Sequence, residues 1–264
     1  MKHVITVVMI AALSVALSSC ARKGCTDENA TNYDSKATKD DGSCIEPEAK
    51  PAHLTVHFHP MAGMQDLAFN TTYTDANGRK LQFTRASFYV SSVVLGGDAD
   101  YSFDDYLLVS PSTMMYELGD FTAAHYHELM FDVGVDSTAN HSDPSIYSAG
   151  HPLASQNPSM HWSWSSGYIF IALEGKVDTT AAMNGTPDFD FEIHVGTDAM
   201  KRSISLSKHQ DVEEGTDVTY TVMVDYLKFF DGIDLRTDNT THTMDNMPLA
   251  TKVADNVSKV FTIQ

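Results

Sequence analysis

The segment Ser159-Met160-His161-Trp162-Ser163-Trp164-Ser165-Ser166-Gly167 runs directly into Tyr168-Ile169-Phe170-Ile171-Ala172-Leu173. The second half is short, β-branched and aromatic, and unbroken by a polar residue, the pattern of a strand covered on both faces. At strand period, the first half sends Met160, Trp162 and Trp164 to one side and His161 and Ser163 to the other. Both tryptophans of the chain lie here. Two indoles, a thioether and an imidazole at the mouth of a core strand fit either simple packing or a redox or metal site.

Further strands flank this one. Leu54, Val56 and Phe58 alternate with Thr55, His57 and His59. Residues 81–95 form a long apolar segment, expected to bend at Ser91-Ser92. Residues 106–109 and 126–135 follow, the latter with Leu129, Phe131, Val133 and Val135 inward. Residues 189–195, 203–206 and 219–224 complete the set, and turns such as Asp75-Ala76-Asn77-Gly78 separate them. Strands at this spacing without intervening helices indicate an all-β fold, an antiparallel β-sandwich or barrel. Only the end reads as helix: Asp245 as N-cap, Pro248 in the first turn, and Leu249, Val253 and Val257 at helical spacing. A last strand is expected over residues 259–263.

The chain of 264 residues carries 35 acidic against 17 basic side chains, a formal charge of −18. Such a surface cannot neutralise a run of phosphates, which excludes a nucleic-acid partner, and it suits an exported protein kept soluble by self-repulsion. Lys2 followed by the apolar residues 4–17 reads as an export signal, too short for a membrane span. It ends in Leu17-Ser18-Ser19-Cys20, which looks like a bacterial lipobox. Residues 1–19 are therefore expected to be removed and Cys20 lipidated. The anchor then sits in the outer membrane and faces the periplasm or the outside. With Cys20 so used, Cys25 and Cys44 remain as an even pair in an oxidising compartment. A bridge closing that loop is worth roughly 3 kcal/mol.

Residues 20–51 form a separate acidic module and linker, too poor in apolar side chains to fold without such a staple. The segment resembles a short Gly-Cys-Thr-Asp…Asn-Tyr…Asp-Asp-Gly-Ser-Cys module of envelope proteins in the Bacteroidetes. Its Asp and Asn side chains offer oxygen ligands for calcium, although a solvated, disulfide-closed stalk is the reading preferred for them. Residues 52–264 are the main domain.

Candidate chemistry in that domain gathers around histidine. His57 and His59 share one strand face, the geometry of a two-imidazole clamp, with Met61 and Met64 just beyond; imidazole suits copper, and thioether favours its reduced form. That face lies opposite the apolar stripe, so idle, solvated imidazoles fit as well. His194 stands in the same relation to Phe189, Phe191 and Ile193. His242 with Met244 and Met247 makes another cluster, and Met160-His161 a third. The chain shows no Gly-x-Ser-x-Gly elbow, phosphate-binding glycine loop or His-Glu-x-x-His helix.

Residues 126–137, Tyr-His-Glu-Leu-Met-Phe-Asp-Val-Gly-Val-Asp-Ser, with Asn140 beyond, resemble a signature of the MbnP-like copper-binding family. Residues 160–169 resemble its Met-x-Trp-x-Trp-x-Ser-Gly-Tyr-Ile block. Phe88-Tyr89-Val90-Ser91-Ser92, Leu173-Glu174-Gly175, Ile193-His194-Val195-Gly196 and Asp255-Asn256 fit further blocks in register. The resemblance implies a non-enzymatic copper protein. In that family a tryptophan is oxidised to kynurenine by a di-haem, MbnH-like partner enzyme of the cytochrome c peroxidase type, and histidines complete the copper site. Carried over, Trp162 or Trp164 is the oxidised position. His194 and His59 are ligands, with Pro60 after His59 a one-residue departure from the pattern. His57 and His161 are additional candidates, Met160 is nearby support, and Asp136 and Asn140 brace the adjoining loop.

The leading expectation is thus a periplasm-facing lipoprotein that binds copper for its acquisition or handling. The alternative is a surface glycan- or protein-binding β-sandwich in which Trp162 and Trp164 form an exposed stacking platform. A third reading keeps the scaffold with a decayed site.

Overall fold

The computed structural model describes residues 21–163 and 166–264. The export signal, the lipidation candidate Cys20 and Trp164 therefore lie outside the described residues. The chain divides into two compact units, one through Ala49 and the other Lys50–Gln264.

In the first unit Cys25 and Cys44 are bridged, and Lys23–Gly24 pairs in parallel with Lys39–Asp40. The Asp side chains behind the calcium expectation cap their own turns. Asp27, Asp34, Asp40 and Asp41 each accept the backbone N–H two residues ahead, at 2.9–3.1 Å. These bonds account for the Asp spacing without an ion, and calcium gains no support.

The second unit is a two-sheet sandwich. Its main strands are β1 (Ala52–Ala62), β2 (Lys80–Gly97), β3 (Met115–Phe121), β4 (His125–Val133), β5 (His161–Ser163) and β6 (Gly167–Val177). They continue with β7 (Phe189–Gly196), β8 (Arg202–Asp211), β9 (Asp217–Asp225), β10 (Thr240–Thr241) and β11 (Phe261–Ile263). The larger sheet runs β8-β4-β2-β6-β7-β10, with β5 hairpinned onto β6; the smaller runs β11-β9-β1, with β3 also on β1. The helices are one turn, α1 (Ser137–Asn140), and α2 (Met247–Val260). No helix among the described residues is long and apolar enough to cross a membrane.

The all-β sandwich with a short C-terminal helix is the expected architecture, but its sheets are mixed. β1 and β9 pair in parallel from His53↔Asp217 to Met61↔Asp225, and β7 pairs in parallel with β10. β2 bends where expected: Ser92 has φ +54°, and the register with β4 shifts between Met130 and Asp132. Residues 168–173 are buried throughout, as a strand covered on both faces requires. At the C-terminus the N-cap is Asn246, whose side chain accepts from Leu249 N–H. Asp245 is drawn instead to His242. The helix also runs on through Val260, so the last strand starts two residues later than expected.

The core is largely aromatic. The Phe88 ring meets Phe58, Tyr226, Phe229 and Phe261 at centroid distances of 5.5–6.3 Å, joining both sheets through their inner faces. Asn256 in α2 is buried, and its amide donates to the carbonyls of Phe229 and Asp231 at 3.0 and 2.9 Å. That ties the helix to the turn beneath it. Phe88→Ala is expected to cost about 3–5 kcal/mol, the range for deleting a buried aromatic ring, measured by urea denaturation. A loss no greater than the roughly 0.5 kcal/mol of a surface site would show that these rings are not the joint between the sheets.

Candidate metal centre

Strands packed on a shared core turn every second side chain outward. On the larger sheet this raises a polar row across β2, β6 and β7: Arg85 opposite Glu174, Glu174 opposite Glu192, and His194 one step along. Arg85 donates to Glu174 at 2.7 Å, and Glu174 holds His194 Nε2 at 2.9 Å. The other ring nitrogen, Nδ1, faces Glu192 Oε1 at 3.5 Å. Beside β7, the short strand β10 delivers His242, whose ring stands at 83° to that of His194 with centroids 5.3 Å apart. Its Nδ1 meets Asp245 at 3.1 Å, and its Nε2 meets the same Glu192 Oε1 at 3.4 Å.

Each imidazole therefore spends one nitrogen on a supporting carboxylate and turns the other toward one shared oxygen. This is the arrangement in which outer carboxylates orient metal-binding histidines. The ligand atoms of Glu192, His194 and His242 lie within 4.8 Å of one another, close enough for a single ion to gather them at bonding distances of about 2.0–2.2 Å with modest side-chain rotation.

Local backbone bonds fix His242. Thr243 sits at φ +68°, uncommon for a β-branched residue. Its hydroxyl accepts from Gly196 N–H at 2.9 Å and donates to the His194 carbonyl at 3.1 Å. The two imidazoles are thus locked to each other through the main chain.

The electrostatics of the pair are unequal. Burial pushes His194 below the usual imidazole pKa, opposed by Glu174 and Glu192. The hydrogen bond to Asp245 pushes His242 above it, with burial opposing and Glu192 assisting. Burial would raise Glu174, but bonds from His194 and Arg85 hold it below the usual carboxylate value. A neutral, buried imidazole next to anionic carboxylates is a ready donor to a cation.

Alongside lies a cavity of about 680 Å³, lined by Trp162, His242, Met244, Asn140 and Asp198 among others. Trp162 lies against Gly196: a Cβ there would stand 2.7 Å from the indole and 2.4 Å from the Tyr168 carbonyl. The glycine of Ile193-His194-Val195-Gly196 is what lets the indole settle beside the His194 strand. Trp162 Nε1 is buried and has no hydrogen-bond partner.

The loop is braced by Asp136, which caps α1 through the N–H groups of Thr138 and Ala139 and accepts from the Tyr106 hydroxyl. Asn140 accepts from Tyr168 N–H at 2.8 Å and donates to Asp198 at 2.7 Å. Gly167, at φ +78°, allows this because a Cβ would fall 2.3 Å from the Asn140 oxygen.

The structure does not bring the expected ligands together. His57 and His59 do not meet His194. On β1 Leu54, Val56 and Phe58 face the core, so both imidazoles point off the outer face of the smaller sheet, edge to face with each other at 5.4 Å. His59 is paired with Asp66 at 2.9 Å. His194 points off the outer face of the larger sheet, and the sandwich core separates the two groups. His161 packs edge-on against Tyr168 at 4.7 Å, outside the Glu192–His194–His242 group. Its Nε2 is buried without a partner. Met160 is buried, and its sulfur accepts from Arg85 at 3.0 Å.

Glu192 was not singled out by sequence, and Glu174 only as part of the Leu173-Glu174-Gly175 block. His242 was visible as a Met/His cluster but not as the partner of His194. Trp162 packs against core residues rather than standing free as a platform.

The model of the MbnP family matches residues 51–245. No curated protein matches the chain. The solved structure of MbnP from Methylosinus trichosporium superposes with a TM-score of 0.57 at 15% identity, covering 81% of this chain and 98% of that one, a likeness of fold.

In the metal-free protein, His194 is expected to titrate below 6.5 and His242 above it, followed by nitrogen-resolved NMR of the imidazoles. The lowered His194 value contributes stability that is present above the unfolded pKa and lost as pH falls through the folded one. The raised His242 value works in reverse, its contribution being lost as pH rises through the folded pKa. Coincident midpoints for the two rings would contradict the arrangement described.

Proposed function

Because the chain belongs to the MbnP family, we propose that it binds copper at His194, His242 and Glu192, with a nitrogen of oxidised Trp162 completing the set. The observation that carries this is the convergence of His194 Nδ1 and His242 Nε2 on one Glu192 oxygen, beside a cavity that Trp162 and His242 both line.

The donors suit the ion. Imidazole binds copper in either oxidation state, and the thioether of Met244 on the same cavity favours the reduced one. An intact indole is a donor only, its nitrogen lone pair tied into the ring. Conversion to kynurenine opens that ring and leaves an aromatic amine able to coordinate. The unpartnered Nε1 of Trp162 is the nitrogen such a change would release. Trp164 remains the second candidate. Copper affinity would then depend on processing by a di-haem partner of the cytochrome c peroxidase type. With no catalytic constellation assigned, the protein acts as a carrier, lipid-anchored through Cys20 to the outer membrane, for copper acquisition or handling.

The test is a copper(I) competition titration of protein made with and without the co-expressed di-haem enzyme, alongside peptide mass spectrometry across residues 159–167. The processed protein is expected to show kynurenine at residue 162 and to bind copper more tightly. His194→Ala and His242→Ala should each weaken binding by at least tenfold, about 1.4 kcal/mol, while His59→Ala leaves it unchanged. Wild-type affinity in the His194→Ala and His242→Ala variants, or loss in His59→Ala, would overturn the assignment.

A further inference from the structure

We propose that His125, His127 and His209 form a second metal site, for a borderline divalent cation such as Zn²⁺ or Cu²⁺, independent of the centre at His194. Their ligand nitrogens lie within 4.8 Å of one another. Ring centroids stand 4.6 Å apart for His125–His127, 5.1 Å for His127–His209 and 5.9 Å for His125–His209.

The backbone explains how they meet. His125 and His127 sit two apart on β4 and share its outer face, opposite buried Tyr126. Between the pairs Tyr126↔Gln210 and Glu128↔Ser207 the register shifts, so His127 alone faces Lys208 and His209 on β8. A bulge of this kind re-aims side chains, and here it brings a third imidazole onto the pair.

The nitrogen chemistry points to a ligand. His127 Nδ1 and His209 Nδ1 face each other at 3.3 Å, a contact that requires one of them to be deprotonated. A cation would take both lone pairs. His125 keeps Nδ1 on Asp211, which leaves its Nε2 for the ion. Asp98 lies 3.6 Å from His127 Nε2, so each histidine of β4 has a carboxylate beside it. Three imidazoles form an N₃ donor set that leaves the fourth position of tetrahedral zinc to water, and copper(II) binds such nitrogen sets more tightly still.

The packing of the fold does not require this cluster. The three side chains lie on the outer surface near the edge strand β8, with His125 and His127 35% and 42% exposed. Three strand spacings separate β4 from β7 in the sheet order, roughly 14 Å at the usual 4.8 Å per strand. One ion cannot serve both centres.

The test uses the tag-free mature chain, titrated calorimetrically with zinc chloride and then with copper(II) sulfate. Wild type is compared with His127→Ala/His209→Ala and with His194→Ala/His242→Ala. The first double variant is expected to lose one zinc equivalent or weaken it at least tenfold. The second should keep that equivalent. Because the substituted positions are surface ones, circular dichroism should be unchanged. Independently, zinc should shift the imidazole NMR signals of His125, His127 and His209 in wild type. Unchanged zinc binding in His127→Ala/His209→Ala, or zinc shifts confined to other histidines, would overturn the proposal without touching the copper(I) result at His194.

Discussion

Between the two sheets Phe58, Phe88, Phe131 and Phe261 meet ring to ring, and this contact dictates where polar chemistry can stand. Each strand that contributes an aromatic side chain inward must turn its neighbours outward. Deleting an inward ring leaves a cavity, so the alternation cannot slip by one residue without exposing the core. Histidines and carboxylates are thereby sorted onto two outer surfaces that never meet. A site can form only among residues of one sheet, or between a sheet and a loop laid across it.

The centre at His194 uses both options. Arg85, Glu174, Glu192 and His194 come from adjacent strands of the larger sheet, while His242 and Trp162 arrive from the segments beside β7. Burial and carboxylates act against each other there: desolvation keeps His194 neutral, whereas Asp245 favours protonated His242. The cation proposed for this centre would resolve the conflict, because it would take the place of the proton between His242 and Glu192 without charging His194. The formal charge of −18 over the whole chain adds a general attraction for positive ions.

Much of this was legible in the residues. Alternation in residues 54–59 and 189–195 gave the face of His57, His59 and His194 correctly: all three point away from the core. What alternation cannot give is sheet membership. The strand carrying His59 pairs in parallel with a strand more than 150 positions later, a contact that no local pattern records. His59 and His194 therefore read as neighbours from their faces while belonging to opposite surfaces. His242 hid for a different reason. The strand it follows, Thr240–Thr241, is two residues long, below any periodic signal, and its neighbour Asp245 read as a helix cap because capping and histidine support draw on the same carboxylate chemistry.

The two histidine groups share one construction and differ in what surrounds them. In each, imidazoles from neighbouring backbone segments converge, with ring nitrogens held by carboxylates. At the first, His194 is 8% exposed and an indole lies against Gly196 of the same strand. Water is largely displaced from that ring, and electrostatic interactions strengthen there as the local dielectric falls, while His242 and Glu192 beside it stay 42% and 48% exposed. At the second, the rings remain substantially open and the carboxylates face solvent, so each contact is screened and an ion can leave without any rearrangement of backbone. The same sheet thus presents one group built on a buried imidazole and one whose imidazoles are all partly open. The burial of His194, more than ligand type, is what distinguishes the two groups.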